Sequence, residues 1–344
     1  MWTPISAASV LVAMTLVVLL VPVNFVVWAP GPSTNLLGAT SGDPVMSITG
    51  VPSHSSSGKI LATSMVQTGQ TSTINLPELI INYLLPSRAV LPRDAVYSPG
   101  QSVEEALRVR RSDVETSREA ALAAGVRQAG IKVSEGPKIV NVGPQGPAYQ
   151  ILEIGDFIVA IDDTPMSTAH DVRQYIRNNK QVGDQIVVTV LRNQETLVLS
   201  IPKLQGSSTD GTVPTMGTTV GTGYLYAPEI RFRVDVDSGA PSEGLALALT
   251  TYDMLTETDV IDGAIIAAAG RVAASGEVTP VVGISEHAHS AANARAELFF
   301  MPRLNCSDLH GDFTGMTIIP VESLTQVEDA LKEYVQGGAR IPRC

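Results

Sequence analysis

Basic residues are scarce in this chain: 23 Lys and Arg stand against 34 Asp and Glu over 344 residues, a formal net charge of −11. Holding a phosphate backbone takes clustered Lys and Arg that displace counterions, and no such cluster occurs, which sets nucleic acid aside as a partner. No G-x-x-x-x-G-K-[ST] phosphate loop is present, so nothing argues for ATP and no cofactor is expected. His287 and His289 stand two apart, a spacing that does not aim both rings at one ion from a helix, and no metal site is expected. Cysteine is limited to Cys306 and Cys344. They could pair in an oxidising compartment, but sequence does not say whether their Cα atoms come within bonding range.

Charge is missing altogether from Ile5 to Trp28. The run exceeds the roughly 18 residues of a membrane-spanning helix and is long for a secretory h-region, so residues 1–29 are expected to form a transmembrane anchor. Pro30 would follow a cut after Ala29 and obstruct it, which disfavours cleavage. The first basic residue, Lys59, is too far along to orient the span by flanking positive charge. By default this gives a single-pass cell-membrane protein with its body outside the cytoplasm.

The length allows two or more domains. "KILATSMV" alternates apolar and polar residues like a half-buried strand. Ser102 lies three residues before Glu105, a capping-box spacing that predicts a helix start, and helix is expected through "DVETSREAALAAGVRQAG" to Gly130. From 131 to 204 the pattern turns to short strands, "KIVNV", "DFIVAIDD", "QIVVTVLR" and "TLVLSIP", with one helix, "TAHDVRQYIRNN". Residues 205–223, rich in Gly, Ser and Thr, read as a linker. Residues 224–344 are a second α/β segment.

Two resemblances organise these pieces. "VNVGPQGPAYQILEIGDFIVAIDDTPMSTAHDVRQYI" resembles a PDZ domain of the bacterial protease-associated kind, in its Gly-Pro-Ala turn, Ile154-Gly155-Asp156, apolar strand, Asp162-Asp163 and helix. The resemblance implies that peptides or unfolded segments add as a strand to a sheet edge, with Lys138 and Ile139 as the expected peptide-binding residues. "EGPKIV" matches the usual carboxylate loop poorly, because Pro137 has no N–H to donate; Lys138 could substitute by charge, or be a solvated surface lysine.

"GAPSEG", "GRVAASGEVTPVVGI", "SAANARAELFFMP" and "NC" resemble the Lon-type proteolytic domain of the membrane-anchored, PDZ-containing Lon-like family. The fold class implied is α+β: an N-terminal transmembrane helix and a PDZ domain inserted in or preceding a Lon-type proteolytic α/β domain. Residues 30–130 would supply its first half and 224–344 the remainder. Ring assembly in Lon-type domains implies a possible homo-oligomer. Members pair a serine with a lysine, and the motif carries the nucleophile over to Ser242, at a glycine-lined turn with amides near the attacked carbonyl.

The site departs from that pattern three times. The dyad lysine position holds His287, and no lysine occurs between Lys203 and Lys332. Ala269 stands where a lysine-orienting threonine would fall, and Glu243 follows the serine where alanine is usual. Two readings stay open. One is a serine endopeptidase in which His287 takes the Ser242 proton, which asks for a third group to set the imidazole tautomer. The other, favoured by the missing lysine, is a pseudoprotease that keeps the architecture as a peptide-binding scaffold.

Overall fold

A computed structural model describes all residues except 1–2, 41, 99, 208–210, 235–238 and 338–341. The chain divides into two compact units, one formed by Met1–Ile131 with Pro228–Cys344 and the other by Lys132–Ala227.

The expected transmembrane anchor is not formed: among the described residues no helix is long and apolar enough to cross a membrane. The apolar run is divided between two kinds of structure. Helix α1 (Thr3–Leu20) has 18 residues, about 27 Å at about 1.5 Å per residue against a hydrocarbon core of about 30 Å. Pro22 follows it, and proline disfavours helix at the residue before it. The β-branched "FVVWAP" then forms strand β1 (Phe25–Pro30), paired with Ala89–Pro92 on one side and Met65–Gln67 on the other. Val26 and Val27 are buried within the protein. An uncharged run has no signal that separates a helix from a buried strand, and the single-pass membrane placement that rested on it is withdrawn.

The first unit is built on a largely parallel sheet. Strand β2 (Lys59–Ala62) is the "KILA" of the alternating stretch, and "MVQ" beyond it belongs to the β1 sheet. Helix α2 (Val103–Gln128) runs unbroken from its Ser102 cap, which accepts from the Glu105 amide, to a left-handed Gly130. The reciprocal half of the capping box is absent, because the Glu105 carboxylate pairs with Arg108 instead.

The second unit comprises strands β3 (Ser134–Val142) and β4 (Phe157–Ile161), helix α3 (Ala169–Asn179), and strands β5 (Ile186–Arg192), β6 (Glu195–Ile201) and β7 (Thr218–Leu225). The sheet order is β6-β5-β4-β3-β7. Ile139, Ile158, Ile161, Val188 and Ile201 fill its core with Val172 and Ile176 of α3. Of the stretch read as a linker, residues 218–223 belong to β7, and 208–210 lie outside the described residues. Gly223 shows why a glycine-rich segment serves as a strand here. A Cβ there would lie 2.6 Å from the Lys138 stem and 2.7 Å from the Phe157 ring.

In the first unit, helix α4 (Gly244–Leu255) is buried from Gly244 to Asp253, with the Thr250 and Thr251 hydroxyls bonded back to the Ala246 and Leu247 carbonyls. Strand β8 (Ile265–Ala268), helix α5 (Ile284–Asn293), and strands β9 (Leu298–Pro302) and β10 (Thr317–Val321) complete it. The order is β10-β9-β8-β2, all parallel, with Thr34–Asn35 antiparallel at the edge beside β2. Buried on both faces, β9 reads "LFFMP" without alternation. Cys306 and Cys344 are disulfide-bonded, with Cα atoms 5.4 Å apart.

Candidate functional site

Ser242 lies in a 3-10 turn, Pro241–Glu243, that runs directly into α4. Its carbonyl accepts from the Gly270 amide at 2.8 Å, and the Leu245 amide returns a bond to the Gly270 carbonyl at 2.9 Å. The turn is thereby stitched to the chain leaving β8. Gly244 allows a close approach here, since a Cβ would lie a tight 3.1 Å from both the Gly270 oxygen and the Val272 nitrogen. The carboxyl ends of parallel strands are where open α/β sheets place ligands, and this turn sits at such an end.

His287, on α5, is brought to the same end of the sheet and is 2 % exposed. Its Nδ1 lies 2.9 Å from Thr63 Oγ1, just past β2, and Thr63 Oγ1 donates to the Ala268 carbonyl at 3.3 Å. A hydroxyl has one proton. When that proton goes to Ala268, Nδ1 must carry its own and Nε2 keeps the lone pair. Among the described residues no hydrogen bond joins the Ser242 hydroxyl to the His287 ring.

Burial pulls the His287 imidazole down to about 4, with Thr63 acting weakly against it. The ring is neutral at physiological pH, yet its proton affinity lies well below the value near 7 that suits a general base. The unfolded ring protonates near its ordinary 6.5 and the folded one does not, so the unfolded state gains protons first as pH falls. Stability from this residue is complete above about 6.5 and is lost towards about 4, by roughly 3 kcal/mol in all. The His287 ring signals in NMR are therefore expected to stay unshifted from pH 8 to 5, and His287→Gln to flatten the acid limb of a stability-against-pH curve. Titration of the native ring near 6.5 would contradict this.

Glu243 does not face the position of an oxyanion unopposed. Its Oε2 pairs with Arg118 Nη2 at 3.1 Å, and its Oε1 accepts from the Ala240 amide at 3.1 Å. Burial pushes the carboxyl up, while Arg118 and the amide pull the other way. Arg118 also donates to the Val234 carbonyl at 3.0 Å and lies 4.7 Å over the Phe232 ring. From the same helix Ser117 donates to the Pro241 carbonyl at 3.0 Å and Arg110 to the Gly239 carbonyl at 3.2 Å. Helix α2 thus grips the whole turn that carries Ser242. Ala269 is fully buried, and its amide donates to the Phe300 carbonyl; it offers no hydroxyl, and Thr63 supplies the one beside His287. Glu286 is buried, and burial pushes its carboxyl up. Among the described residues no carboxylate bonds to the His287 ring.

In the second unit the expected peptide-binding pair lies on β3. Ile139 is fully buried, its amide donates to the Asp156 carbonyl and its carbonyl accepts from the Gly155 amide, both at 2.8 Å. Lys138 sits between Gly221 and Phe157. At Lys138 and Ile139, strand β3 is therefore flanked on both sides. The edge belongs to β7, outermost in the sheet. Opposed residues in an antiparallel ladder either exchange both bonds or both turn away. Ile139 turns away from its partner Val220, and Pro137, opposite Thr222, has no N–H to exchange. Val220 and Thr222 consequently direct their backbone groups outward. Helix α3 flanks this edge, with Arg173 Nη1 donating to the Val220 carbonyl at 3.4 Å.

Sequence reasoning missed Thr63, Arg118 and β7. Thr63 and His287 are 224 residues apart and Arg118 and Glu243 are 125 apart, separations at which no local pattern exists. For β7 the alternation "TVGTGYL" was a usable signal, masked by its glycines.

Residues 109–202 match the family model described as PDZ domain. The match begins inside α2 and stops before β7. Among solved structures, the PDZ domain of an SdrC-like protein of Listeria monocytogenes is 27% identical, over 25% of this chain and 86% of that one, with a TM-score of 0.23. Its Listeria innocua counterpart is 29% identical, over 25% and 92%, at 0.23. A Geobacillus thermodenitrificans protein solved in solution is 31% identical, over 24% and 94%, at 0.22. No curated protein matches the chain.

Proposed function

Because the chain carries a PDZ domain, we propose that it is a peptide-binding protein whose peptide adds as a strand to the outer edge of β7, against α3, and whose other unit is a Lon-like peptidase scaffold without turnover. The observation that carries the first part is the outward set of Val220 and Thr222 on the outermost strand. Strand addition draws affinity from such backbone groups and specificity from the pockets between them.

The second part rests on His287. A serine hydroxyl is inert until a neighbour takes its proton, and the His287 imidazole is tied to Thr63 and has low proton affinity. A fluorophosphonate probe is expected to label neither the wild type nor Ser242→Ala. Labelling of wild type that disappears in Ser242→Ala would establish an active serine. One observation favours that active reading: the chain Ala268, Thr63, Nδ1 leaves Nε2 as the acceptor, with Thr63 in the tautomer-setting role that a carboxylate fills elsewhere. If wild type labels, Thr63→Val tests this chain of bonds, since loss of the hydroxyl should abolish the labelling.

A further inference from the structure

We propose that the groove between β7 and α3 selects peptides bearing an acidic side chain, and that Arg173 is the residue that reads it. The inference rests on the reading of β7 as the peptide edge and adds the chemistry of what binds there.

Helix α3 presents basic side chains along its outer flank. Val172 and Ile176 point into the core. His170, Arg173 and Arg177, at three- and four-residue steps, share one exposed side. The helix has a single carboxylate, Asp171, and it is committed to the N-terminal cap, accepting from the Thr168 amide at 2.9 Å and the Ser167 amide at 3.3 Å. Strand β7 carries no charged residue at all. At the C-terminal end of α3, Arg177, Lys180 and Val182 line an open cavity of about 490 Å³ with residues 211–214, just ahead of β7. Lys180 there is paired with Asp162 at 2.8 Å. In a chain of net charge −11, this flank is cationic.

Arg173 makes the preference specific. Its guanidinium donates to the Val220 carbonyl, an acceptor that an added strand needs for its own amide. The 3.4 Å contact is long and weak, so an entering backbone N–H replaces it readily. The displaced guanidinium then stands over the bound peptide in want of an acceptor. A carboxylate supplies a two-pronged, charge-assisted one; an amide supplies less, and a lysine repels it. The strand and the acidic side chain are thus recognised by one exchange of partners.

The test is a random decapeptide display library panned on the full-length chain, followed by synthesis of the best binders with each Asp or Glu changed to Asn or Gln. Wild type is expected to enrich acidic peptides, and removing one carboxylate to weaken binding by about tenfold. In Arg173→Gln the peptides should still bind, with that tenfold difference gone. Selection without acidic bias, or an unchanged difference in Arg173→Gln, overturns the proposal. Thr222→Pro removes an outward amide without touching the β3 ladder, and edge strands tolerate proline. Binders indifferent to Thr222→Pro, with an unaltered melting temperature, would instead refute the β7 edge as the binding site. A library yielding no binder refutes both.

Discussion

Replacing Arg118 by methionine is expected to destabilise the unit that carries Ser242 by about 3–5 kcal/mol near neutral pH, the range for removing one partner of a buried ion pair. Both side chains are largely shielded, at 13% and 8% exposed, so water cannot take over from the lost guanidinium. Burial, opposed by Arg118, already holds the Glu243 carboxyl above its ordinary value. A raised carboxyl binds its proton more tightly in the folded chain. The stability this gives is complete below the unfolded pKa and is lost as pH rises through the folded one. Without Arg118 the folded value moves further up, so the cost of Arg118→Met is smallest in acid and grows across that window. Urea denaturation at pH 4.5 and 7.5 measures the difference, and adding Glu243→Gln should recover much of the loss. A cost equal at both pH values would assign the effect to packing over Phe232 rather than to charge.

That ion pair also marks where sequence reading reaches its limit. Glu243 beside the serine was legible as a departure from the Lon pattern, but its consequence was not, because the cation that answers it lies on α2. Local signals fared better. The Ser102 cap started α2, and the Thr168 cap with Asp171 started α3 where "TAHDVRQYIRNN" was read as helix. Four strands of the second unit follow from apolar runs between turns. Its fifth, β7, combines two interior glycines with β-branched residues, and local propensity could not outweigh the glycines until Lys138 and Phe157 were seen to need the space. Whether Lys138 and Ile139 border an open edge was not legible from their own stretch of sequence. Edge status is a property of the whole sheet, and a strand arriving some eighty residues later changed it.

Reduction of the Cys306–Cys344 bond, or Cys344→Ser, is expected to cost about 4 kcal/mol by the loop-entropy relation for cysteines 38 residues apart. In that account the bond acts on the unfolded chain, and the native site should change little. The contacts around Cys306 provide the discriminating measurement. Asn305 accepts from the Val281 amide at 2.9 Å and donates to its carbonyl at 3.0 Å, and Ser285 donates to the Asp308 carbonyl at 3.0 Å. These bonds brace the approach to Gly283, the left-handed residue from which α5 starts, where a Cβ would run into Met65 Sδ. His287 lies one turn along that helix. If the crosslink acts only on the unfolded chain, denaturation midpoints fall after reduction while the His287 ring keeps its low proton affinity and its Thr63 partner. If the ring instead begins to titrate near 6.5 in the reduced protein, the bond holds the start of α5 in place in the native state. The covalent tie would then be part of what keeps this imidazole dry.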